Sequence, residues 1–273
     1  MKGTVGIMRL GCHVYVFSEY RYDQAAQLDE VWDMVADCGY PAIEIHAPML
    51  ERPDWYEAIM AAQERTGLQI IGGSNGGNLT DAAEWDALRR KMDEYTQKLA
   101  RLGNVKCGFT ATGVRAAERT DEQSAQVVRA WTELAQMCRA RGVQLNYHTH
   151  GEPIADVQFV IDHVPAELLP LGPDLDWLRF GGIDPEAFLR AHADRLVMLH
   201  IRDYHLGGSR TFALGEGDAD YPHLKTVLEQ IGFAGGILEA GVGGGGPAQL
   251  GAEAAGPGEA ALADQRHQGG KQV

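Results

Sequence analysis

The sequence predicts a single α/β domain over residues 1–239, folded as a closed (β/α)8 TIM barrel. Short apolar runs rich in β-forming residues alternate with amphipathic segments of helical period, as expected of repeated βα units. Candidate metal ligands follow the ends of several of these runs, and the parallel strands of a closed barrel bring such ends together. The length of 273 residues suits a barrel of this kind, which needs about 250 residues.

The predicted strands and helices alternate along the chain. The strands end near Phe17, Ile45, Ile71, Thr110, Tyr147, Leu175, Ile201 and Glu239. The helices cover residues 24–38, 55–66, 81–102, 121–141, 154–163, 184–192 and 221–231. Thr120 and Gln123 have the spacing of a capping box, and Pro185 follows the capping residue Asp184. A doubly wound sheet would instead require a glycine fingerprint after the first strand, which Gly6 and Gly11 do not supply.

The composition changes abruptly after Glu239. Residues 240–273 begin Ala-Gly-Val-Gly-Gly-Gly-Gly-Pro and contain no aromatic residue. Such a segment buries too little apolar area to offset the entropy of ordering it, so we expect a disordered tail and an eighth helix that is poorly formed or missing. A reading-frame change or truncation just past Glu239 is one hypothesis for this switch. It would leave the flank between the eighth and first strands poorly covered.

Charge and cysteine content restrict the class of protein. A formal net charge of −14 argues against a nucleic-acid partner, because binding to phosphate draws on Lys and Arg. The cysteines at 12, 38, 107 and 138 have no CxxC spacing and fit reduced thiols. The amino-terminal segment lacks a secretion signal, and no run approaches the roughly 18 apolar residues of a membrane span. We therefore expect a cytoplasmic protein with no membrane partner.

The first candidate ligands follow the fifth and sixth strands. His148 and His150 are two residues apart, so both can face the barrel mouth, and histidine is a frequent ligand of zinc, manganese and iron. Either could instead be a hydrogen-bonded residue of the mouth. Asp174 and Asp176 flank Leu175, and one of them, with Asp174 as the candidate, could bind a metal while Trp177 forms a pocket wall. The segment could instead be a turn with a packed indole.

The seventh and eighth strands provide further candidates. His200 ends a run too apolar for a surface strand. Arg202 after it suits an anionic or hydroxyl-rich substrate, and Asp203 could orient an imidazole or the arginine. Glu239 closes the last strand, and because carboxylates are almost never fully buried unless paired, it suggests metal binding or proton transfer.

Three other segments complete the predicted mouth. Glu44 and His46 share a face at the end of the second strand. Glu152 could fold back towards His148 as a catalytic carboxylate, or it could be a solvated loop residue. The glycine-rich residues 72–78 lack the Lys-Ser/Thr of a phosphate-binding loop, and their ordinary interpretation is a flexible βα loop.

Five segments together carry a resemblance to a known family. They are residues 147–152 (YHTHGE), 174–177 (DLDW), 200–203 (HIRD), 214–220 (LGEGDAD) and 237–239 (ILE). In this order they resemble the xylose-isomerase-like barrels of the sugar phosphate isomerase/epimerase family, over roughly residues 5–239. The resemblance implies one divalent metal, Mn²⁺ foremost with Zn²⁺, Co²⁺, Fe²⁺ or Mg²⁺ as alternatives. By position, it implies that this metal is bound by His148, Asp174, His200 and Glu239.

The resemblance also implies an activity. Members rearrange ketoses, sugar phosphates and related polyols, or dehydrate inosose-type ketones. Many epimerases of the family have glutamate where His148 stands, and histidine there resembles the branch that includes inosose dehydratases. We therefore expect an isomerase or epimerase that enolises its substrate, with a dehydratase as the alternative. Glu239 and Glu152 would carry the proton. The expected substrate-binding residues are Glu44, His46, His150, Trp177, Arg202 and Asp203.

Two other classes of protein remain as alternatives to this enzyme. A metal-dependent endonuclease shares the barrel but needs a basic surface, which the net charge of −14 opposes. A non-catalytic sugar-binding or partner subunit would use Arg202 and Trp177 to hold a ligand without turnover. The sequence does not fix the oligomeric state, and a homo-oligomer is compatible with it.

Overall fold

The computed structural model describes residues 8–103, 105–206, 210–211 and 214–240. Within them, seven parallel strands form one sheet in the order β5-β4-β3-β2-β1-β7-β6. The strands are β1 (Arg9–His13), β2 (Ala42–His46), β3 (Gln69–Asn78), β4 (Lys106–Thr112), β5 (Gln144–Tyr147), β6 (Met198–Ile201) and β7 (Gly236–Glu239).

Residues 171–174 close this sheet into the predicted barrel. Isolated parallel bridges join Tyr147 to Leu171, Leu171 to Leu196 and Asp174 to His200. The predicted sixth strand is therefore present only as single bridges, and the helix that follows begins where that strand was expected to end. Pro170 and Pro173 account for this, because proline has no backbone N–H to donate to a continuous ladder.

Nine α-helices are found among the described residues. They are α1 (Val16–Glu19), α2 (Leu28–Asp37), α3 (Trp55–Thr66), α4 (Trp85–Arg101), α5 (Asp121–Ala140), α6 (Ile154–His163), α7 (Leu175–Phe180), α8 (Pro185–Ala191) and α9 (Tyr221–Gln230). Short 3₁₀ helices cover Ala47–Glu51, Ala116–Glu118 and Ala193–Arg195. The predicted capping box of α5 is confirmed, as is the Asp184 cap before Pro185 in α8. No helix in the described ranges combines the length and apolar character that crossing a membrane requires.

Two predicted boundaries were wrong. The first strand ends at His13 rather than near Phe17, because Tyr15 N–H donates to His13 Nδ1 and the chain turns into α1. Residues 72–78 extend β3 instead of forming a flexible loop. Their glycines are required by packing: a Cβ at Gly77 would lie 2.6 Å from Leu88 Cδ1, and one at Gly73 would lie 2.7 Å from the Tyr95 hydroxyl.

The core has two parts, and the smaller one lies beneath the polar mouth. The main core includes Trp32 and Trp131, both fully buried. A separate apolar cluster consists of Ala42, Ile71, Met198 and Leu238. Since Ala42 and Met198 lie two residues before Glu44 and His200, strand alternation places this cluster one layer below those polar side chains.

Several predictions concern residues beyond Ala240. The disordered tail, the missing or poorly formed eighth helix and the reading-frame change all fall on residues 241–273, which lie outside the described residues. They remain predictions.

Candidate metal centre and cavity

Three of the four predicted ligands meet at the carboxyl ends of the strands. His148 follows β5, Asp174 caps α7 and His200 belongs to β6. One ligand atom from each lies within 4.8 Å of the other two, and all three side chains are buried. Two imidazoles and one carboxylate at this spacing form a candidate centre for a divalent cation.

The hydrogen bonding of His148 selects its ligand atom. His148 Nδ1 is 3.0 Å from the carbonyl oxygen of Gly172. A carbonyl oxygen can only accept, so Nδ1 carries the proton and Nε2 retains its lone pair. Histidines that bind metals commonly donate their other ring N–H in this way. His148 is therefore oriented as a ligand through Nε2.

Asp174 combines a structural contact with an ionic one. Its Oδ1 accepts the backbone N–H groups of Asp176 and Trp177 at 3.0 and 3.1 Å, which caps α7. Its Oδ2 lies 2.8 Å from Arg202 Nε. Burial raises the pKa of this carboxyl, but Arg202 and the two histidines outweigh that effect, and the pKa falls below its ordinary value. Asp174 is thus an anion at neutral pH.

His200 contacts a second buried carboxylate in addition to the other two candidate ligands. Its Nε2 is 2.7 Å from Glu44 Oε2, which is also 3.6 Å from His13 Nε2. The 2.7 Å approach is close but is not aligned as a hydrogen bond. Burial raises the pKa of Glu44, although His13 and His148 oppose this.

Burial also keeps the imidazoles of the mouth neutral. It lowers the pKa of His13 to about 3 and the pKa values of His148, His150 and His200 to about 4. Neutral imidazole is the form that binds a metal, so these rings need not lose a proton at neutral pH.

A cavity of about 640 Å³ opens over this centre. This volume lies in the range of small-molecule sites. Its titratable lining residues are His13, Tyr15, His46, Glu51, Lys91, His148, His150, His200 and Arg202. Its other polar side chains are Ser74, Asn75, Thr110 and Thr112. The predicted substrate-binding residues His46, His150 and Arg202 therefore line the cavity, and their role remains a prediction.

The structure does not bring Glu239 to the other three predicted ligands, because Glu239 lies on the opposite face of its strand from the residues that face the centre. His200 pairs with Leu238, and Ile201 pairs with Glu239. Because side chains alternate along a strand, Leu238 and Ala240 share the inner face with His200, and Glu239 points outward. Ala240 lines the cavity. Glu239 instead pairs with Cys12 of β1. Its charge adds to burial in raising the pKa of the Cys12 and Cys38 thiols.

The register predicts a gain of metal affinity when Ala240 is replaced by glutamate. Ala240 is 3% exposed, so a lone carboxylate there should destabilise the metal-free protein by about 3 kcal/mol. The added carboxylate would be a further ligand for a bound cation. The affinity of the protein for that cation should therefore rise about tenfold or more. Co²⁺ titration and thermal unfolding with and without the ion measure both effects. Ala240→Gln is the matched neutral control; an equal gain in that variant, or none in either, would contradict the register argument.

Two other predicted residues lie away from the cavity lining. Glu152 is buried, accepts the backbone N–H of His150 and lines a small separate cavity with Arg115 and Asp156. Asp203 accepts four backbone N–H groups, and the structure does not place it in the cavity lining. Its donors are Tyr204, Gly215, Gly217 and Ala219, at 2.6–3.2 Å. Its carboxylate is already used to hold the segment after β6.

We expect Asp203→Asn to loosen that segment without weakening metal binding. One carboxylate oxygen would become an NH₂ group facing two backbone donors, at a cost of about 2–4 kcal/mol. Denaturant unfolding and limited proteolysis should report the change, while Co²⁺ affinity should stay at the wild-type value. Asp218→Asn is the control, since Asp218 is half exposed and accepts one backbone N–H, from Leu206. A large loss of Co²⁺ affinity in Asp203→Asn would instead place Asp203 in the metal centre.

Trp177 and Glu44 support the cavity from behind its lining. The Trp177 indole packs against His150 with the ring centroids 4.1 Å apart and the planes tilted by 33°. The Arg210 guanidinium lies over the indole, 4.5 Å from its centroid. Glu44 is fully buried beneath the mouth. Both were predicted to bind substrate, and in the structure they contact residues of the lining.

Sequence analysis missed His13, Ser74, Asn75 and Lys91 among the lining residues. His13 ends β1, and its Nε2 lies 2.9 Å from Ser74 Oγ. The signal was present as a histidine at the end of an apolar run, but the prediction extended that run to Phe17. Ser74 and Asn75 were assigned to a flexible loop, so their place at a strand end was not apparent.

Comparison with known proteins identifies the family. The sequence profile of the xylose isomerase-like TIM barrel family matches residues 32–254. The chain therefore belongs to this family, which confirms the resemblance and the predicted barrel.

Solved structures and a curated relative agree with this assignment. The fold is similar to D-allulose 3-epimerase of Methylomonas sp., solved with D-allulose, at 21% identity and TM-score 0.68 over 86% of this chain and 84% of that one. It is also similar to D-psicose 3-epimerase of Clostridium cellulolyticum, solved with D-tagatose, at 17% identity and TM-score 0.69 over 95% and 99%. At such identities the likeness shows the fold.

The curated relative is the inosose dehydratase of Geobacillus kaustophilus. It is 22% identical over 192 residues, which are 64% of this chain and 61% of the dehydratase. The match thus spans about three-fifths of the relative's length.

Proposed function

We propose that the protein is a divalent-metal-dependent enzyme that removes a proton from the carbon next to the carbonyl of a ketose or related keto-polyol. The observation that carries the proposal is the buried cluster of His148, Asp174 and His200, whose ligand atoms lie within 4.8 Å of one another beneath the cavity. The family, and the similarity to ketose epimerases and to an inosose dehydratase, support the substrate class.

The donor set fits a transition-metal ion. Two neutral imidazoles with one carboxylate suit manganese, iron, cobalt or zinc better than magnesium, which prefers oxygen ligands. The buried Glu44 carboxylate next to His200 adds negative charge where a cation would need it. Manganese remains the predicted ion. When bound, such a metal acts as a Lewis acid that makes the C–H next to a carbonyl more acidic.

Residues of the cavity would bind the substrate and move the proton. His150 is neutral and able to accept a proton, and its contact with the Trp177 indole holds the ring in place. Arg202, His46 and Lys91, which line the cavity, would bind hydroxyl or anionic groups of the substrate. We do not assign proton transfer to Glu239 or Glu152, because neither lines the cavity.

A dehydratase acting on an inosose-type keto-polyol is the second candidate. Among the described residues that line the cavity, Glu51 at the rim is the one carboxylate. Epimerisation by two opposed carboxylates therefore has no matching pair, whereas loss of a β-hydroxyl needs a base and a proton donor, which the histidines can provide. The histidine at position 148 favours the same candidate.

The proposal also covers the cellular setting. We take the enzyme to be cytoplasmic, which is supported by its four free cysteines, three of them buried. Its partner would be a small sugar or polyol, with no nucleic acid and no membrane involved. Association into a homo-oligomer is compatible with this proposal.

Deuterium exchange tests the proposed function. The Mn²⁺-loaded protein, incubated with a panel of ketoses, ketose phosphates and inososes in deuterated water, should incorporate deuterium at carbon for at least one substrate. A dehydratase would also release a product lighter by one water. Metal-free protein is the control. Metal binding without exchange on any candidate would contradict enolisation and favour a sugar-binding subunit.

A further inference from the structure

Glu44 is a fully buried carboxylate that contacts two imidazoles. It lies on β2 with no exposed side-chain area, beneath the cavity rather than on its surface. Its Oε2 is 2.7 Å from His200 Nε2 and 3.6 Å from His13 Nε2. Carboxylates are almost never buried to this degree unless they are paired, so its location calls for a partner with positive charge or N–H donors.

The barrel wall is shaped to hold this carboxylate. Gly72 on β3 and Gly108 on β4 face it, and a Cβ added at either position would lie 3.2 or 3.7 Å from Glu44 Oε1. Glycine at these two positions of adjacent strands thus leaves the volume that the carboxylate occupies. Its position next to His200 is set by the backbone of the barrel.

In the two neighbouring histidines, His13 and His148, hydrogen bonds determine which ring nitrogen carries the proton. His13 Nδ1 accepts the N–H of Tyr15 at 3.2 Å, so its proton is on Nε2, next to Ser74 Oγ. His148 donates its Nδ1 proton to Gly172 O. His200 has no such backbone contact among its described hydrogen bonds, and the nearest acceptor to its Nε2 is Glu44.

The charges at the centre also require a second carboxylate. The Asp174 carboxylate is already matched by Arg202, whose Nε lies 2.8 Å from Asp174 Oδ2. A divalent cation bound there would therefore have little net negative charge around it. Glu44 supplies a second carboxylate at this centre, 2.7 Å from His200 Nε2.

We propose that Glu44 is a positioning residue of the metal centre, which keeps the His200 proton on Nε2 and so leaves Nδ1 as the ligand atom. The inference rests on the proposed metal-dependent function. The separation of 2.7 Å is within hydrogen-bonding range, and the carboxylate and the imidazole need only align. The resulting carboxylate–histidine–metal arrangement orients the ring and raises its basicity as a ligand.

Nitrogen-15 NMR of labelled histidine side chains tests this assignment in the wild-type protein. In metal-free protein we expect His200 to be protonated at Nε2. With Zn²⁺ bound, His200 should remain protonated at Nε2 and bind through Nδ1. His148 provides the internal control, because the structure predicts the opposite arrangement: a proton on Nδ1 and Zn²⁺ on Nε2.

Variants then test whether Glu44 is the cause. Glu44→Gln should lower Zn²⁺ affinity by about 10–100-fold, and His200 should lose its single protonation state while His148 keeps its own. Glu51→Gln removes an exposed carboxylate at the cavity rim and should change neither quantity.

The outcomes separate this inference from the proposed function. A His200 proton on Nδ1 in metal-free protein, or Zn²⁺ bound through His200 Nε2, would overturn the inference even if Glu44→Gln failed to fold. Unchanged Zn²⁺ affinity and protonation in a folded Glu44→Gln would overturn it as well. Absence of any Zn²⁺ binding would contradict the proposed function, and the metal-free spectrum would still decide the position of the proton.

Discussion

Asp174→Asn should abolish metal binding while the protein remains folded. The amide oxygen of asparagine can still accept the backbone N–H groups of Asp176 and Trp177, so the cap of α7 is retained. The negative charge next to His148 and His200 is lost. We expect the affinity for Mn²⁺ or Co²⁺ to fall by more than about a hundredfold, beyond the 10–100-fold cost of losing an outer partner of a ligand.

The same substitution should also cost stability. Arg202 would lose its ionic partner, and its side chain is 9% exposed, so we expect a loss of about 3 kcal/mol. Urea unfolding measures this cost separately from the loss of the metal.

Asp176→Asn is the matched control for the Asp174 variant. Asp176 is also buried and pairs with two arginines, Arg179 and Arg210, at 2.8 Å each. It should therefore lose a comparable amount of stability but keep its metal affinity. If both variants lose metal equally, the effect comes from disturbing α7, and Asp174 is not a ligand.

Acid should unfold the metal-free protein over a window set by its buried histidines. The pKa is about 4 for His148 and His200 and about 3 for His13 in the folded protein, against 6.5 for an ordinary histidine. Because these values are lowered, the unfolded chain binds more protons, and stability falls as pH decreases from about 6.5 towards 4. Each imidazole lowered to about 4 should contribute roughly 3 kcal/mol to the loss.

The buried carboxylates work in the other direction and reduce this loss. Burial raises the pKa values of Glu44 and Glu152, so the folded protein takes up their protons more readily than the unfolded chain. We nevertheless expect a net decrease, since more histidines than carboxylates are affected. Urea unfolding between pH 7 and pH 4.5 in the presence of a chelator measures the slope.

Two histidine variants make this prediction specific. His13→Gln should flatten the pH dependence, because one buried imidazole is removed. His223→Gln should change it much less, because the contact of His223 with Glu186 lies at the exposed surface. Stability that stays constant from pH 7 to pH 4.5 in the wild-type protein would show that the histidines do not resist protonation as proposed.

The sequence predicted three candidate ligands that the fold brings together. His148, Asp174 and His200 each follow or end an apolar run, and parallel strands of a barrel point such positions at one place. The cap of α5 and the start of α8 at Pro185 could also be predicted from the sequence, because each depends on side chains only a few residues apart. Local rules and the barrel topology were sufficient for these features.

Glu239 shows where the sequence was not sufficient. Gly236-Ile-Leu-Glu has no alternation of apolar and polar residues, so the run does not reveal which of its residues face inward. Only the pairing with β6 shows that Leu238 and Ala240 share the face of His200. A difference of one residue in register moves a side chain from the mouth to the outer face.

Glu152 and Asp203 illustrate a different limit. Both are acidic residues near a strand end, and the sequence suggested substrate chemistry for each. In the structure, their carboxylates accept backbone N–H groups of their own or nearby loops. Such contacts depend on the path of the loop, which spacing along the chain does not determine. The sixth strand was predicted as a full strand, but two prolines interrupt its hydrogen bonds to the neighbouring strands.

Anomalous diffraction from crystals of the Zn²⁺- or Mn²⁺-loaded protein tests the central claim most directly. We expect one strong peak within bonding distance of His148, Asp174 and His200, with the ion open to the cavity above. Peaks confined to surface pairs such as His223 and Glu186, with none at the strand ends, would contradict the metal centre and the enolisation built on it.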